Sequence, residues 1–450
     1  MKKIICYLCV LPLIYSFLVY FIGFENGVVI TLSVVLLNLI FANHLYKDKI
    51  DRQALFFIVL LVSVNFDSEP FLYGTFNIRF YQPVFIILFA TFFYRFAKAR
   101  ASVSAFLILI WCTTFMIIEL MFLRGKLDAV KYTVFYIYFA FFVAFLVTSS
   151  KVSTRQILEI FCFVSLPFLV FGIIQFLYSL SVGFNNNPLL PPVYNLELRP
   201  VAFFSETTWL SEMAFFVLLG SLSLSSKVER LAIISICLFV IIVTVTRNTY
   251  LAILVSLLSV LGTQIVLLRV KKSIMLYVLL TIFLATFLFI TNDWVQGFII
   301  ALVERFTDLE KGGGGRLDAF KVALNMFVQS DTKIFGNGFD WNSNIVAGQG
   351  SSLGAKAFNS LIMLNHIYGP LFVILILFFI FKFVYKCIMG IKRRQNDIVY
   401  YIYIASIMSF LSMSLFAPIH QYPLGALLLG LYLSGVKDIQ RQNIMESKWS

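Results

Sequence analysis

Leu231-Ala-Ile-Ile-Ser-Ile-Cys-Leu-Phe-Val-Ile-Ile-Val-Thr-Val-Thr246, then Arg247-Asn248, then Thr249-Tyr-Leu-Ala-Ile-Leu-Val-Ser-Leu-Leu-Ser-Val-Leu-Gly-Thr-Gln-Ile-Val-Leu-Leu268 decides the fold. Two uncharged apolar runs meet at one arginine with almost no loop between them. Each run approaches the roughly 20 residues that a helix needs to cross a bilayer. Such a helix satisfies every backbone donor and acceptor internally, which hydrocarbon demands. A lone arginine at that junction is costly, and nothing near it is charged; it is the kind of residue kept for an anionic partner.

The same pattern extends in both directions. Apolar segments fall near 4–23, 26–43, 54–66, 80–97, 103–123, 132–149, 157–181, 209–225, 231–246, 249–268, 273–291, 360–381, 398–416 and 422–436. The expected fold is therefore all-α, a polytopic membrane bundle of about 12 to 14 helices over residues 1–450 in one integral membrane domain. Segments 54–66 and 422–436 are short enough to be partial or re-entrant. Composition agrees: 60% of the 450 residues are hydrophobic and 13% charged, against about 25% charged in soluble domains. The mean hydropathy is +0.93.

A formal net charge of +13 suggests nucleic acid at first sight. The positive charge is instead divided into small clusters between apolar spans, the pattern that loop orientation produces. With both termini inside, about 23 of the 35 Lys and Arg residues fall on the inner side. The expectation is a multi-pass protein with cytoplasmic N- and C-termini and no nucleic-acid partner. Met1-Lys2-Lys3 and the apolar run to Gly23 resemble a signal sequence, but the run is long, lacks an A-x-A site and leads into another span. It reads as a retained first helix. The six cysteines lie in or beside apolar runs without CxxC spacing, which favours small buried hydrophobes. Most of the 51 phenylalanines read as packing or lipid-facing surface.

Two outer segments are too long to be plain turns. Residues 182–208 contain Asn185-Asn-Asn-Pro188 and Pro191-Pro192. Residues 292–359 hold Gly312 to Gly315 and Arg316, with Leu317, Phe320, Leu324 and Phe327 at the spacing of an amphipathic interfacial helix. Arg199 lies at the mouth of the span that begins near 209, and Arg316 follows four glycines that free the backbone to approach a ligand. Guanidinium groups remain charged and can donate paired hydrogen bonds, which suits phosphate. The alternative for each arginine is snorkelling to lipid phosphates, and Arg247 resists it best. There is no P-loop, HExxH or strand-linked GxGxxG, which disfavours ATP-driven transport and zinc proteolysis. Asp67-Ser-Glu69 is an acidic pair, and two acids alone do not make a metal site.

Four pieces in order resemble the O-antigen ligase/polymerase superfamily of bacterial membrane glycosyltransferases. Arg199-Pro-Val-Ala-Phe-Phe-Ser-Glu206 resembles its Arg-x-x-x-Phe-x-x-Glu/Pro segment, and Val245-Thr-Arg247-Asn-Thr249 its (Ser/Thr)-Arg break. Gly315-Arg316 with Gly336-Asn-Gly338 resembles its Gly-Arg…Gly-x-Gly periplasmic segment. Phe358-Asn359 with Gly369 resembles its His-Asn…Gly signature. The similarity covers roughly 195–375. Phe358 stands where the ligases typically carry histidine, which leans towards the Wzy-type repeat-unit polymerases. His366, eight residues further on, reads as a packed or hydrogen-bonded histidine.

The resemblance implies a GT-C-like bundle in the cytoplasmic membrane with its site facing the periplasm. It implies transfer of a growing glycan from undecaprenyl pyrophosphate to a sugar hydroxyl of an incoming lipid-linked unit, without metal or cofactor. A chain-length regulator is an expected partner. Arg247 and Arg316 would stabilise the pyrophosphate leaving group, with Arg199 beside them. Glu206 is a candidate base, with pairing to an arginine as its alternative. Asn359 and Asp318 are lesser candidates for sugar contacts, and Tyr250 is one by adjacency. A ligase that moves finished polymer to lipid A core is an alternative function; so is a lipid-linked oligosaccharide flippase, although no internal repeat of the transporter kind is evident.

Overall fold

The computed structural model describes residues 51–65, 70–72, 78–79, 81–97, 103–121, 130, 133–183, 200, 202, 207–244, 246–267, 364–365, 367–393, 398–416 and 423–434. The expected spans 4–23, 26–43 and 273–291, and the amphipathic segment after Arg316, lie outside these residues. The described chain is helical, apart from a two-stranded antiparallel ribbon of β1 (Pro70–Leu72) and β2 (Ile78–Arg79).

The first helices are α1 (Arg52–Val64), α2 (Tyr81–Ala97) and α3 (Val103–Met121). Asp51 starts α1 by accepting a hydrogen bond from the Gln53 N–H at 3.1 Å, while its other carboxylate oxygen accepts from the Lys151 N–H. One side chain thus caps a helix and ties it to a distant turn. A π-helical turn (Thr133–Tyr138) leads into α4 (Phe139–Ser149). The longest helix, α5 (Thr154–Val182), opens with a capping box between Ser153 and Gln156. It satisfies donors that the first turn would otherwise leave open.

From there the chain turns sharply. Helices α6 (Thr207–Ser221), α7 (Lys227–Thr244) and α8 (Arg247–Val266) follow one another with short connections. Further on come α9 (Pro370–Arg393), α10 (Ile398–Phe416) and α11 (Pro423–Leu433). Helix α8 packs against α10 and α6, α6 against α5 and α7, α11 against α4, and α1 against α4 and α5.

Among the described residues, three helices are long and apolar enough to cross a membrane: Thr154–Val182, Asn248–Val266 and Pro370–Lys392. Helix α9 exposes Leu371, Ile374, Phe378, Phe381 and Tyr385. Their spacing of three and four residues draws one apolar stripe along the helix, a surface that water does not favour.

Inside the bundle, α2 and α4 meet through aromatic rings. Phe85 lies 5.4 Å from Phe139, Phe89 5.6 Å from Phe142, and Phe96 5.7 Å from Phe145, all edge-on. These phenylalanines are packing elements, in geometries that the ring quadrupoles favour. Close helix approach elsewhere needs glycine: a Cβ on Gly430 of α11 would stand 2.5 Å from the Ala140 carbonyl oxygen of α4.

One expected boundary is corrected. The predicted span 360–381 is broken at Gly369, which has φ 84° and donates its N–H to the Asn365 carbonyl at 2.8 Å. A left-handed glycine ends the short preceding turn, and Pro370, whose fixed φ suits a first helical position, opens α9. That helix then runs to Arg393, so Lys382, Lys386 and Lys392 belong to it rather than to a loop.

Candidate functional site

Helix order places several polar groups at one end of the bundle. Helices α6 and α7 pack along each other across a short connection, which brings the start of α6 and the end of α7 to one side; α8 starts there and packs on α6 and α10. The last third of α5 reaches the same side, because Gln175 binds Ala202, just ahead of α6.

At the α7–α8 break only Val245 and Thr246 separate the two helices. Thr244 ends α7 with its hydroxyl turned back to the Val240 carbonyl at 2.8 Å. Thr246 sits at the N-cap of α8 in extended conformation and supplies no side-chain cap. The first N–H groups of α8 therefore lack the side-chain acceptor that a capping threonine usually provides. Arg247 is the first helical residue. Thr249 is fully buried, and its hydroxyl has no hydrogen-bond partner. Tyr250, half-buried, reaches back to donate its hydroxyl to the Ile241 carbonyl at 3.4 Å, closing the break from the side. The Thr246 carbonyl accepts from the Thr249 N–H at 3.1 Å and from the Tyr250 N–H at 3.3 Å. A helix N-terminus with an arginine at its first position can receive an anion at the N–H groups ahead of these.

Helix α6 packs on both α7 and α8. Thr207, Ser211 and Glu212 are all buried in its first two turns; Glu212 is 1% exposed. Glu212 shares a helical face with Phe216 and Leu219, four and seven residues on, which line a small cavity with α10 and α11. Helix α10 is joined to α8 nearby by a hydrogen bond from the Ser409 hydroxyl to the Ala252 carbonyl, 2.9 Å long. The candidate site is thus a helix start without a side-chain cap, on a helix that packs against α6 with its buried carboxyl and hydroxyl groups.

Of the residues singled out by sequence, the structure describes two here: Arg247, whose backbone begins α8, and Tyr250. Arg199, Glu206, Arg316, Asp318 and Asn359 lie outside the described residues, as do Asp67, Glu69, Phe358 and His366. Among the described residues there is no group of three or more His, Cys, Asp or Glu side chains able to hold a metal ion. Cys112, Cys162, Cys237 and Cys387 are free and buried; Cys162 donates to the Val217 carbonyl at 3.5 Å, packing α5 on α6. Sequence reasoning missed Gln175, Glu212 and Thr249. Glu212 had a usable signal, as the acidic residue inside the apolar segment 209–225. No family model matches the sequence, and no curated protein matches it.

Proposed function

We propose that this chain is a membrane glycosyltransferase that joins undecaprenyl-pyrophosphate-linked oligosaccharide repeat units into a surface polysaccharide, in the manner of a Wzy-type polymerase. One observation carries the reading: Arg247 opens a helix whose N-cap residue supplies no side-chain cap, with the unpaired, buried Thr249 hydroxyl in its first turn, and this helix packs on α6, which buries Glu212. That chemistry suits a pyrophosphate, whose charge builds up as the glycosyl bond breaks. The ordered resemblance around Arg199, Arg247, Arg316 and Asn359 supports it from the sequence side.

In this reading the chain lies in the cytoplasmic membrane with the α7–α8 break towards the periplasm. Arg247 and Arg316 stabilise the leaving pyrophosphate, and Arg199 holds the lipid-linked donor. Glu206 takes the proton of the acceptor hydroxyl. The buried Glu212 is a counter-charge for the guanidinium groups. Asn359, Asp318 and Tyr250 contact sugar hydroxyls. The reaction needs positive charge and geometry rather than a metal or cofactor.

Deleting the gene and profiling the surface polysaccharide by gel tests this directly. The expected product is lipid A core bearing a single repeat unit. Bare core with polymer accumulating on undecaprenyl pyrophosphate identifies a ligase instead. Bare core with single units trapped on the inner leaflet identifies a flippase, and the arginines then belong to a transport path.

A further inference from the structure

Helix α9 is long and apolar enough to cross a membrane, yet it carries two lysines well inside its span. Lys382 is 12 positions after Pro370 and 10 before Lys392, the two ends of that span. At about 1.5 Å per residue, it lies about 18 Å from one end and about 15 Å from the other. A four-carbon stem covers less than half of that distance even when it snorkels. Lys382 is exposed, within the apolar stripe of Leu371, Ile374, Phe378, Phe381 and Tyr385. Lys386 follows one turn on, half-buried at the edge of the stripe.

A cation at that depth is costly, and two of them one turn apart repel each other. The helices packed on α9 offer no counter-charge there. They are α3, α10 and α11. Neither α10 nor α11 has an acidic residue, and the single acid of α3 is Glu119. Trp111 of α3 donates to the Tyr368 carbonyl, and the Phe115 ring lies 5.5 Å from the Tyr368 ring. Glu119 is four residues beyond Phe115, whereas Lys382 is 14 residues beyond Tyr368, so the two are far apart. A counter-charge therefore has to approach from the exposed face of α9, which is the bilayer side. There a headgroup phosphate supplies the negative charge, and its acyl chains match the apolar residues of the same stripe. Tyr385 is exposed between the two lysines and has the amphipathic shape found at headgroup level. One phosphate shared by both ammonium groups also offsets their repulsion.

We propose that Lys382 and Lys386 form a binding site for the phosphate of an anionic phospholipid, drawn towards the middle of α9 from the leaflet at its C-terminal end. Tyr385 stands at headgroup level in this site, and Phe378 and Phe381 lie along the acyl chains. The bilayer is thinner beside α9 as a result, a modest cost that a tightly held lipid offsets. The site is independent of the reaction that the protein catalyses.

The test uses full-length protein, delipidated in detergent and titrated with phosphatidylglycerol or phosphatidylcholine, with bound lipids counted by native mass spectrometry. Wild type is expected to hold one phosphatidylglycerol at least about tenfold more tightly than phosphatidylcholine. The double variant Lys382→Gln with Lys386→Gln keeps long polar side chains but removes both charges, and is expected to lose that preference. Replacing both by arginine keeps the charges and is expected to retain it. Lys227→Gln, at the exposed start of α7, is the control and is expected to behave as wild type. Should the double variant fail to fold, Lys382→Gln alone changes only an exposed position and is expected to lose most of the preference.

Equal affinity of the wild type for the two lipids overturns the proposal, as does a preference that survives the loss of both lysines. An equal loss in Lys227→Gln reduces the effect to general attraction between basic residues and anionic lipid, and overturns the site. A wild-type dimer that dissociates in the double variant, with bound lipid unchanged, assigns the lysines to a contact with a second copy and overturns it too.

Discussion

Arg247→Lys is expected to reduce polymer formation about 100-fold while the protein still inserts into the membrane, in line with the loss of one preorganised donor group. Lysine keeps the charge at the first position of α8 but loses the planar fork that grips two phosphate oxygens together. The helix start offers nothing to replace it: Thr246 provides no side-chain cap, and the Thr249 hydroxyl has no partner. A side-chain exchange at the first residue of α8 removes no backbone hydrogen bond, and lysine is as good a helix former as arginine. The measurement is polymer length and amount in a deletion host complemented with the variant, against its level in the membrane fraction. Full-length polymer at the normal amount would contradict the role assigned to the guanidinium.

Gly430→Ala is expected to destabilise the bundle by about 1 to 3 kcal/mol, the usual cost of overpacking a tight contact. The added Cβ would stand 2.5 Å from the Ala140 carbonyl oxygen, 2.7 Å from Val143 Cβ and 2.9 Å from Val143 Cγ1. A backbone oxygen cannot rotate away like a side-chain tip, so α11 and α4 must separate. Gly262→Ala on α8 is the control, because a Cβ there meets nothing within 4 Å. Alanine gains about 1 kcal/mol of helix propensity over glycine at such a position, so this variant is expected to be neutral or more stable. Thermal unfolding of the detergent-purified protein, followed by a thiol-reactive dye on the buried cysteines, reads both. Equal melting temperatures for the two variants would mean that the α4–α11 contact is looser than described.

The helical architecture was legible because apolar runs of near-membrane length leave little choice of structure. Segment 54–66 became Arg52–Val64, 103–123 became Val103–Met121, and 398–416 became Ile398–Phe416. The extra residues at the start of α7 have a simple cause: Lys227 and Arg230 extend the helix behind Ser226, whose hydroxyl accepts from the Glu229 N–H at 3.4 Å. A charge threshold ends a hydropathy run sooner than it ends a helix, and long basic side chains tolerate the interface. The same effect carried α9 through its lysines to Arg393. The break at Gly369 was hidden, because Gly-Pro inside an apolar stretch reads as hydrophobic content unless the backbone hand is considered.

The site was less legible. The Arg247 break announced itself, since charge between two uncharged spans is rare. Gln175 did not, because one amide in a long apolar helix has no periodicity, and its partner Ala202 lies 27 residues away. Glu212 was passed over in favour of Glu206, which sits within the recognisable motif. Only the packing of α6 among α5, α7, α8 and α10 reveals how deeply Glu212 is buried.

Purified protein in liposomes, given undecaprenyl-pyrophosphate-linked repeat units and nothing else, tests the proposed activity most directly. A ladder of products growing by whole repeats, with undecaprenyl pyrophosphate released for each bond formed, is the predicted result. Repeat units that stay single, while the same preparation moves them from one leaflet to the other, would contradict it.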